Sequence, residues 1–278
     1  MLHDFVITEH YVIIPDLPME SNIKNCIENR FMYQLNNKKP ARYGIMKREC
    51  QDASKIQWFE LPYHYCFHYS NAWEEKNAQG EDIIILWGCL TQNNVAEFKM
   101  EHPFLSENWG TKNTRLEFNL KTGEYKQEVF APNIAIEFPQ VNQMYVGYKS
   151  KYIYLPYTDM ELPDTQAARD NISVSGFVKF DTDLKEVTGK IDFGPIKRGG
   201  EVFFQEREGA SAEDDGYLMT YVYNIETDKS EFVIWDAQTM SDVPVLRAQL
   251  SQRVPNGFHG LFITDEELGW KNVKPNDI

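Results

Sequence analysis

The sequence predicts an all-β protein on three observations: short runs rich in β-branched and aromatic residues recur along it, turn-forming residues separate them, and helical signal is confined to short pieces. Its 278 residues, 42% of them hydrophobic, suffice for one large β unit or for two smaller domains. No clean repeat, low-complexity segment or obvious linker divides the chain.

Taken in order, Phe5–Thr8 and Tyr11–Ile14 read as the first strands because β-branched and aromatic side chains dominate both. Ile23 to Leu35 carries the helical signal. Ile83–Leu90, which opens Ile-Ile-Ile-Leu-Trp, has the length of a strand and falls well short of the roughly 18 apolar residues of a spanning helix. Arg115–Leu120, the turn Lys121-Thr122-Gly123-Glu124 and Tyr125–Phe130 read as a hairpin, with alternation sending Leu116, Phe118 and Leu120 to the buried face. Tyr152–Leu155 is a further strand, and Asp159 to Asn171 is a polar loop rather than a domain boundary. Phe177–Phe180 runs into a turn at Asp181-Thr182-Asp183, and Gly216–Asn224 and Ser230–Trp235 flank the turn Glu226-Thr227-Asp228-Lys229. Regularly spaced short strands fit a sandwich, a barrel or a propeller, and periodicity does not choose among these. The WD dipeptides of an ordinary scaffold propeller are absent.

The formal net charge of −14 argues against binding to phosphate backbones, whose affinity rests on Lys and Arg, and against a polybasic membrane anchor. No secretory or transit segment is visible in the first residues. Cys26, Cys50, Cys66 and Cys89 form no CxxC pair and no disulfide framework, so reduced thiols are expected. Cys66 lies two residues from His68, on the same face of an ideal strand, and is assigned to core packing rather than to a metal.

Three of the six histidines sit in aromatic, strand-like contexts: His3 in His-Asp-Phe-Val-Ile-Thr, His68 in Phe67-His68-Tyr69-Ser70-Asn71-Ala72-Trp73-Glu74-Glu75, and His259 in Arg253-Val254-Pro255-Asn256-Gly257-Phe258-His259-Gly260. Imidazoles far apart in sequence can converge on one divalent metal when their strands share an axis, unlike HExxH, where one helix supplies both ligands. Each alone reads as a half-buried strand residue. Together with Gly199-Gly200-Glu201 and Glu213-Asp214-Asp215-Gly216-Tyr217, the three segments resemble the signature of the carotenoid cleavage dioxygenases over nearly the whole chain, with Asn256 standing where that family commonly has an aromatic.

The resemblance implies the C-terminal part of a seven-bladed β-propeller. Residues 1–278 would form one partial domain, without the N-terminal blades and without the first of four histidine ligands. It implies a non-haem iron site in which His3, His68 and His259 bind Fe2+. Glu137, in Ile136-Glu137-Phe138-Pro139, would orient His68, and Glu201 would orient His259, since metal-bound imidazoles usually donate their other N–H to a carboxylate. Glycines before Glu201 would let the backbone pass close to the site. For Glu137, alternation would send Ile136 and Phe138 to the opposite face, so its position alone does not decide its role. Glu74, Glu75 and Glu213-Asp214-Asp215 are read as turn or surface charge.

The implied reaction is dioxygen-dependent cleavage of a conjugated carotenoid or apocarotenoid double bond into two carbonyl products, without nicotinamide or flavin. Aromatic residues, 14% of the chain, are numerous enough to line an apolar tunnel for the polyene, with Phe67, Phe204 and Phe258 as wall residues. A substrate drawn from a lipid phase implies peripheral membrane contact through an apolar patch. Met1 reads as an internal methionine of a longer protein, so a catalytically inactive remnant that binds an apolar ligand or a partner is the rival reading. His10, His64 and His102 match no ligand motif; His64 could share the face of His68 but is assigned to core or surface.

Overall fold

A computed structural model of the chain describes residues 1–30, 32–92, 110–131, 133–158, 174–255, 257, 259–265 and 267–269. His102, Asn256, Phe258 and the polar loop expected over Asp159 to Asn171 lie outside the described residues.

Strands β1 (Val6–Ile7) and β2 (Tyr11–Asp16) begin the first sheet. A small hairpin of β3 (Met19–Ser21) and β4 (Tyr33–Leu35), spanned by helix α1 (Ile23–Ile27), then interrupts it. β5 (Ala41–Lys47) and β6 (Gln57–Leu61) complete the order β1-β2-β5-β6. The helix expected across Ile23 to Leu35 is therefore corrected to five residues followed by a strand. Asn22 caps α1 by accepting from the Lys24 N–H, and the chain leaves the helix at Asn29, whose φ of 55° is left-handed.

The second sheet is a meander of β7 (Tyr65–Lys76), β8 (Asp82–Thr91), β9 (Lys112–Asn119) and β10 (Tyr125–Phe130). Here the expected hairpin forms as read: Leu116 and Phe118 are fully buried, and Gly123, at φ 75°, makes the turn. The third sheet orders β11 (Ala135–Ile136), β12 (Tyr152–Thr158), β13 (Gly176–Asp181) and β14 (Glu186–Asp192). The fourth pairs β15 (Lys197–Gly199) and β16 (Phe203–Glu206) with β17 (Gly216–Asn224), followed by β18 (Lys229–Asp236) and β19 (Leu246–Gln249).

Three cores lie between successive sheets. Ile13, Tyr43 and Phe59 of the first sheet pack with Ile84, Leu86 and Phe118 of the second. Ile85 and Trp87, on the other face of β8, pack with Ile153, Leu155 and Phe180 of the third. Phe177 and Ile191 meet Phe204, Leu218 and Trp235 of the fourth. β8 is thus buried on both faces, the physical reason its sequence is apolar without alternation. Four antiparallel sheets taken in chain order, each packed face to face on the next, have the order of propeller blades rather than of a two-sheet sandwich or a single barrel.

Buried polar ties lock the sheets together. Asn71 of β7 donates to the carbonyls of Tyr145 and Tyr148 and to Ser150 Oγ, and its own oxygen accepts from the Gly147 N–H. Lys179 of β13 donates to Asp214 Oδ2 at 2.6 Å and to the Ala237 carbonyl. Glu213 accepts from the Lys151 and Tyr152 N–H groups, and Asp215 pairs with Arg207. Glu74 accepts from Thr8 Oγ1, His10 N and His10 Nδ1, holding β7 to the turn between β1 and β2, while Glu75 takes the Trp73 indole N–H. These acids, expected as turn or surface charge, are structural ties. The sequence motif hid this for Glu74, Glu213 and Asp214 because their partners are remote along the chain.

Candidate metal centre

The edge strands β1, β7, β11 and β15, one from each sheet, place the site. His3 lies in irregular chain just before β1, His68 within β7, Glu137 just after β11, Glu201 between β15 and β16, and His259 beyond β19. Only His68 is on a strand; His3 and His259, expected in strand-like contexts, lie in chain outside any strand.

His68 is aimed by an irregular stretch of β7. The pairing with β8 shifts register between Cys66 and Tyr69 and again between Tyr69 and Asn71. Such bulges re-aim side chains at functional sites. Gly88, opposite Tyr69, permits the close approach: a Cβ there would stand 2.8 Å from Tyr69 Cδ1 and 3.1 Å from Cys66 Sγ. With alternation broken, Cys66 packs in the first core and donates its thiol to the His68 carbonyl. His64 lies in the core instead of beside His68: its Nδ1–H donates to the Pro62 carbonyl, and its Nε2 accepts from the Tyr43 hydroxyl at 2.8 Å.

The ligating atoms of His3, His68 and His259 all lie within 4.8 Å of one another, and no other such group of histidine, cysteine and carboxylate side chains is found among the described residues. His3 Nε2 and His68 Nε2 face each other at 3.3 Å. Asp4 fixes that approach, its Oδ2 accepting from the Tyr69 N–H at 3.0 Å, so the loop carrying His3 is tied to the strand carrying His68.

The two predicted carboxylates stand behind their histidines. Glu137 Oε2 accepts from His68 Nδ1 at 2.6 Å, and Glu201 Oε1 accepts from His259 Nδ1 at 3.4 Å. Glu201 Oε2 takes the Gly260 N–H at 2.9 Å. Burial pulls the His68 pKa down and is the largest single influence, yet the Glu137 hydrogen bond and the charges of Glu137, Asp4 and Glu201 together outweigh it and raise the value. His3 goes the other way, lowered first by burial and then by the positive charge His68 can carry.

Phe138 explains how Glu137 reaches its place. Its φ of 55° is left-handed, rare for a bulky residue, and breaks the alternation that would have put Glu137 and Phe138 on opposite faces. The Phe138 ring packs 5.2 Å from that of His68 and 5.6 Å from that of His259. Phe67 flanks the other side, edge-on to His3 at 5.4 Å. Phe204, expected as a tunnel wall, belongs to the third core, stacked on Tyr154. The glycines before Glu201 also have a different reason than expected: a Cβ on Gly199 would strike the Phe193 ring at 2.4 Å, while nothing crowds Gly200.

Three imidazoles converging with carboxylates behind two of them suit a first-row divalent metal such as Fe2+. Metal–nitrogen bonds of about 2.1 Å put adjacent ligands about 3 Å apart, a spacing the Nε2 atoms of His3 and His68 already have. Sequence reading missed Asp4, Phe138 and Gly88. Of these only Gly88 left a signal, a lone glycine inside an apolar strand.

The family model described as retinal pigment epithelial membrane protein, RPE65, matches residues 1–264. The chain is 37% identical over 284 residues to carotenoid 9,10(9',10')-cleavage dioxygenase 1 of Arabidopsis thaliana, covering 96% of this chain and 49% of that protein. It is 33% identical over 269 residues to the chloroplastic 9-cis-epoxycarotenoid dioxygenase NCED6 of the same plant, covering 96% and 43%. Among solved structures, cobalt-substituted ACO of Synechocystis superposes with a TM-score of 0.77 at 24% identity, over 94% of this chain and 52% of that one. The lignostilbene dioxygenase of Pseudomonas brassicacearum superposes at 0.79 with 22% identity, over 93% and 54%. The chain spans about half the length of the curated relatives it matches.

Proposed function

The chain belongs to the RPE65 family, whose matched curated members are carotenoid cleavage dioxygenases, and on that premise we propose that it is the metal-binding part of a non-haem iron dioxygenase acting on a carotenoid or apocarotenoid. Residues 1–278 are the C-terminal part of a seven-bladed propeller, with the remaining blades and a first histidine ligand outside this sequence. The observation that carries the reading is the gathering of His3, His68 and His259 with Glu137 and Glu201 behind two of them.

His3, His68 and His259 hold Fe2+. Bound there, iron supplies the redox chemistry by which dioxygen adds across a conjugated carbon–carbon double bond and leaves two carbonyl products. The chain's own contribution is positional. Glu137 fixes the His68 ring with Nδ1 protonated, which leaves Nε2 as the ligating atom, and Glu201 does the same for His259. Phe67 and Phe138 set apolar ring surface against the histidines, of which His3 and His259 are exposed, and that surface favours a polyene. Ile23 and Ile27, 76% and 81% exposed one turn apart on α1, support peripheral contact with a lipid surface by apolar rather than electrostatic means.

One observation favours a second reading, in which the chain binds an apolar ligand or partner without turnover: three imidazoles rather than four converge among the described residues. Iron content of the purified, folded chain, measured beside carotenoid bleaching on the same sample, separates the two. Near-stoichiometric iron with bleaching supports the dioxygenase; folded protein without iron confines that activity to a longer chain.

A further inference from the structure

One short segment reaches two of the histidines. Glu137 contacts His68 directly, and three residues on Gln140 donates its side-chain Nε2 to Glu201 Oε1 at 3.0 Å, the same oxygen that accepts from His259 Nδ1 at 3.4 Å. The amide orientation is forced, since an ionised carboxylate only accepts and the nitrogen must face it. Gln140 is itself anchored, its backbone exchanging both hydrogen bonds with Tyr154 at 2.8 Å. The side chain of Glu201 is only 10% exposed, so water does little to replace a lost donor.

From this geometry we infer that Gln140 is a positioning residue for the metal centre: it holds Glu201 in the orientation that aims His259, and the segment from Glu137 to Gln140 thereby sets two ligands from one piece of backbone. This rests on the reading of His259 as a ligand. Gln140 touches neither metal nor substrate. Its effect passes through Glu201, whose remaining donors, His259 Nδ1–H and Gly260 N–H, both come from the loop beyond β19. Among the described residues, the carboxylate without Gln140 is tied only to the loop it is meant to place.

The test uses Co2+ as probe on the purified chain, with affinity from chelator competition and coordination from the visible absorption of the bound ion. Gln140→Met keeps the length and the backbone pairing but removes the donor; Gln140→Lys restores a donor to the carboxylate. The expected result is about tenfold weaker Co2+ binding and an altered absorption band for Gln140→Met, beside an unfolding midpoint lowered by no more than the loss of one hydrogen bond to Glu201, with recovery of affinity, spectrum and midpoint in Gln140→Lys. Should Gln140→Met fail to fold, Gln140→Asn, whose amide falls short of Glu201, takes its place. Binding and spectrum matching the unsubstituted chain would overturn the inference. Absence of Co2+ binding by the unsubstituted chain would instead overturn the ligand reading, and this inference with it.

Discussion

Replacing Glu137 by glutamine should cost both stability and metal affinity, for reasons fixed by two oxygen atoms. Oε2 accepts from His68 Nδ1 at 2.6 Å and from the Phe138 N–H at 2.9 Å, while Oε1 is buried without a hydrogen-bond partner among the described residues. In Glu137→Gln one oxygen becomes an NH2 group. If the amide oxygen keeps the Oε2 place, the NH2 lies where nothing accepts from it, a buried unsatisfied donor costing about 1–3 kcal/mol. The flipped amide sets donor against two donors and is worse. His68 loses the carboxylate that fixes its ring, which lowers metal affinity by about 10–100-fold, or about 1.4–2.7 kcal/mol. Chelator competition with Co2+ reads the affinity and a urea midpoint reads the stability. Glu137→Asp, which keeps the charge with a shorter reach, should fall between. Cobalt affinity within twofold of the unsubstituted chain would refute the assignment of Glu137 to His68.

Other perturbations test the frame around the site. Asn71→Ala removes the amide that satisfies two carbonyls, a serine hydroxyl and the Gly147 N–H, and should lower stability by about 3 kcal/mol or more; a urea midpoint within 1 kcal/mol of the parent would show that water substitutes for it. Lys179→Met leaves Asp214 buried without its cation and should cost about 3–5 kcal/mol, most of it recovered in the double variant Lys179→Met, Asp214→Leu; a double variant as weak as the single one contradicts this. His64, buried with its pKa lowered from 6.5 to about 4, stays neutral in the fold, whereas the unfolded chain takes up the proton first on acidification. The His64 contribution to stability should therefore be flat above about pH 6.5 and fall towards pH 4, with about 2 kcal/mol lost between pH 7.5 and pH 5. Urea midpoints for the parent and for His64→Asn should converge over that range, and parallel curves would remove His64 as the cause.

The strands were legible where their register is local. β17 and β10 have the bounds expected from alternation and turn residues, and β9 extends the expected strand by three residues at its start while ending one residue earlier, because each lies beside a tight turn that sets its pairing. The run from Ile23 to Leu35 misled because its helical pattern persists for only one turn of chain; pairing of Tyr33–Leu35 with Met19–Ser21 then takes over, and tertiary pairing outweighs propensity. Propeller order was not legible from periodicity. It depends on which face of each sheet meets which neighbour, and β8, apolar on both faces, records burial without recording its partners.

The site was legible as a set of residue types and much less as geometry. A histidine's neighbours in sequence identify it, but its aim depends on contacts that no local pattern encodes: the bulged pairing of β7, the left-handed Phe138, the Asp4 tie to Tyr69. In each case a local preference is overridden by a non-local hydrogen bond or packing contact. Alternation, the rule that placed the core residues of β9 correctly, would have turned Glu137 and Phe138 to opposite faces, and both in fact meet His68. Backbone strain of this kind, about 1–3 kcal/mol per residue, persists only where surrounding contacts hold it. The contacts holding Phe138 are the two histidines themselves, the Glu137 carboxylate and the pairing of its neighbours with β12. The departure from pattern at Phe138 and the convergence of the ligands therefore have one cause, which is why reasoning from local sequence named the carboxylate and could not say how it arrived.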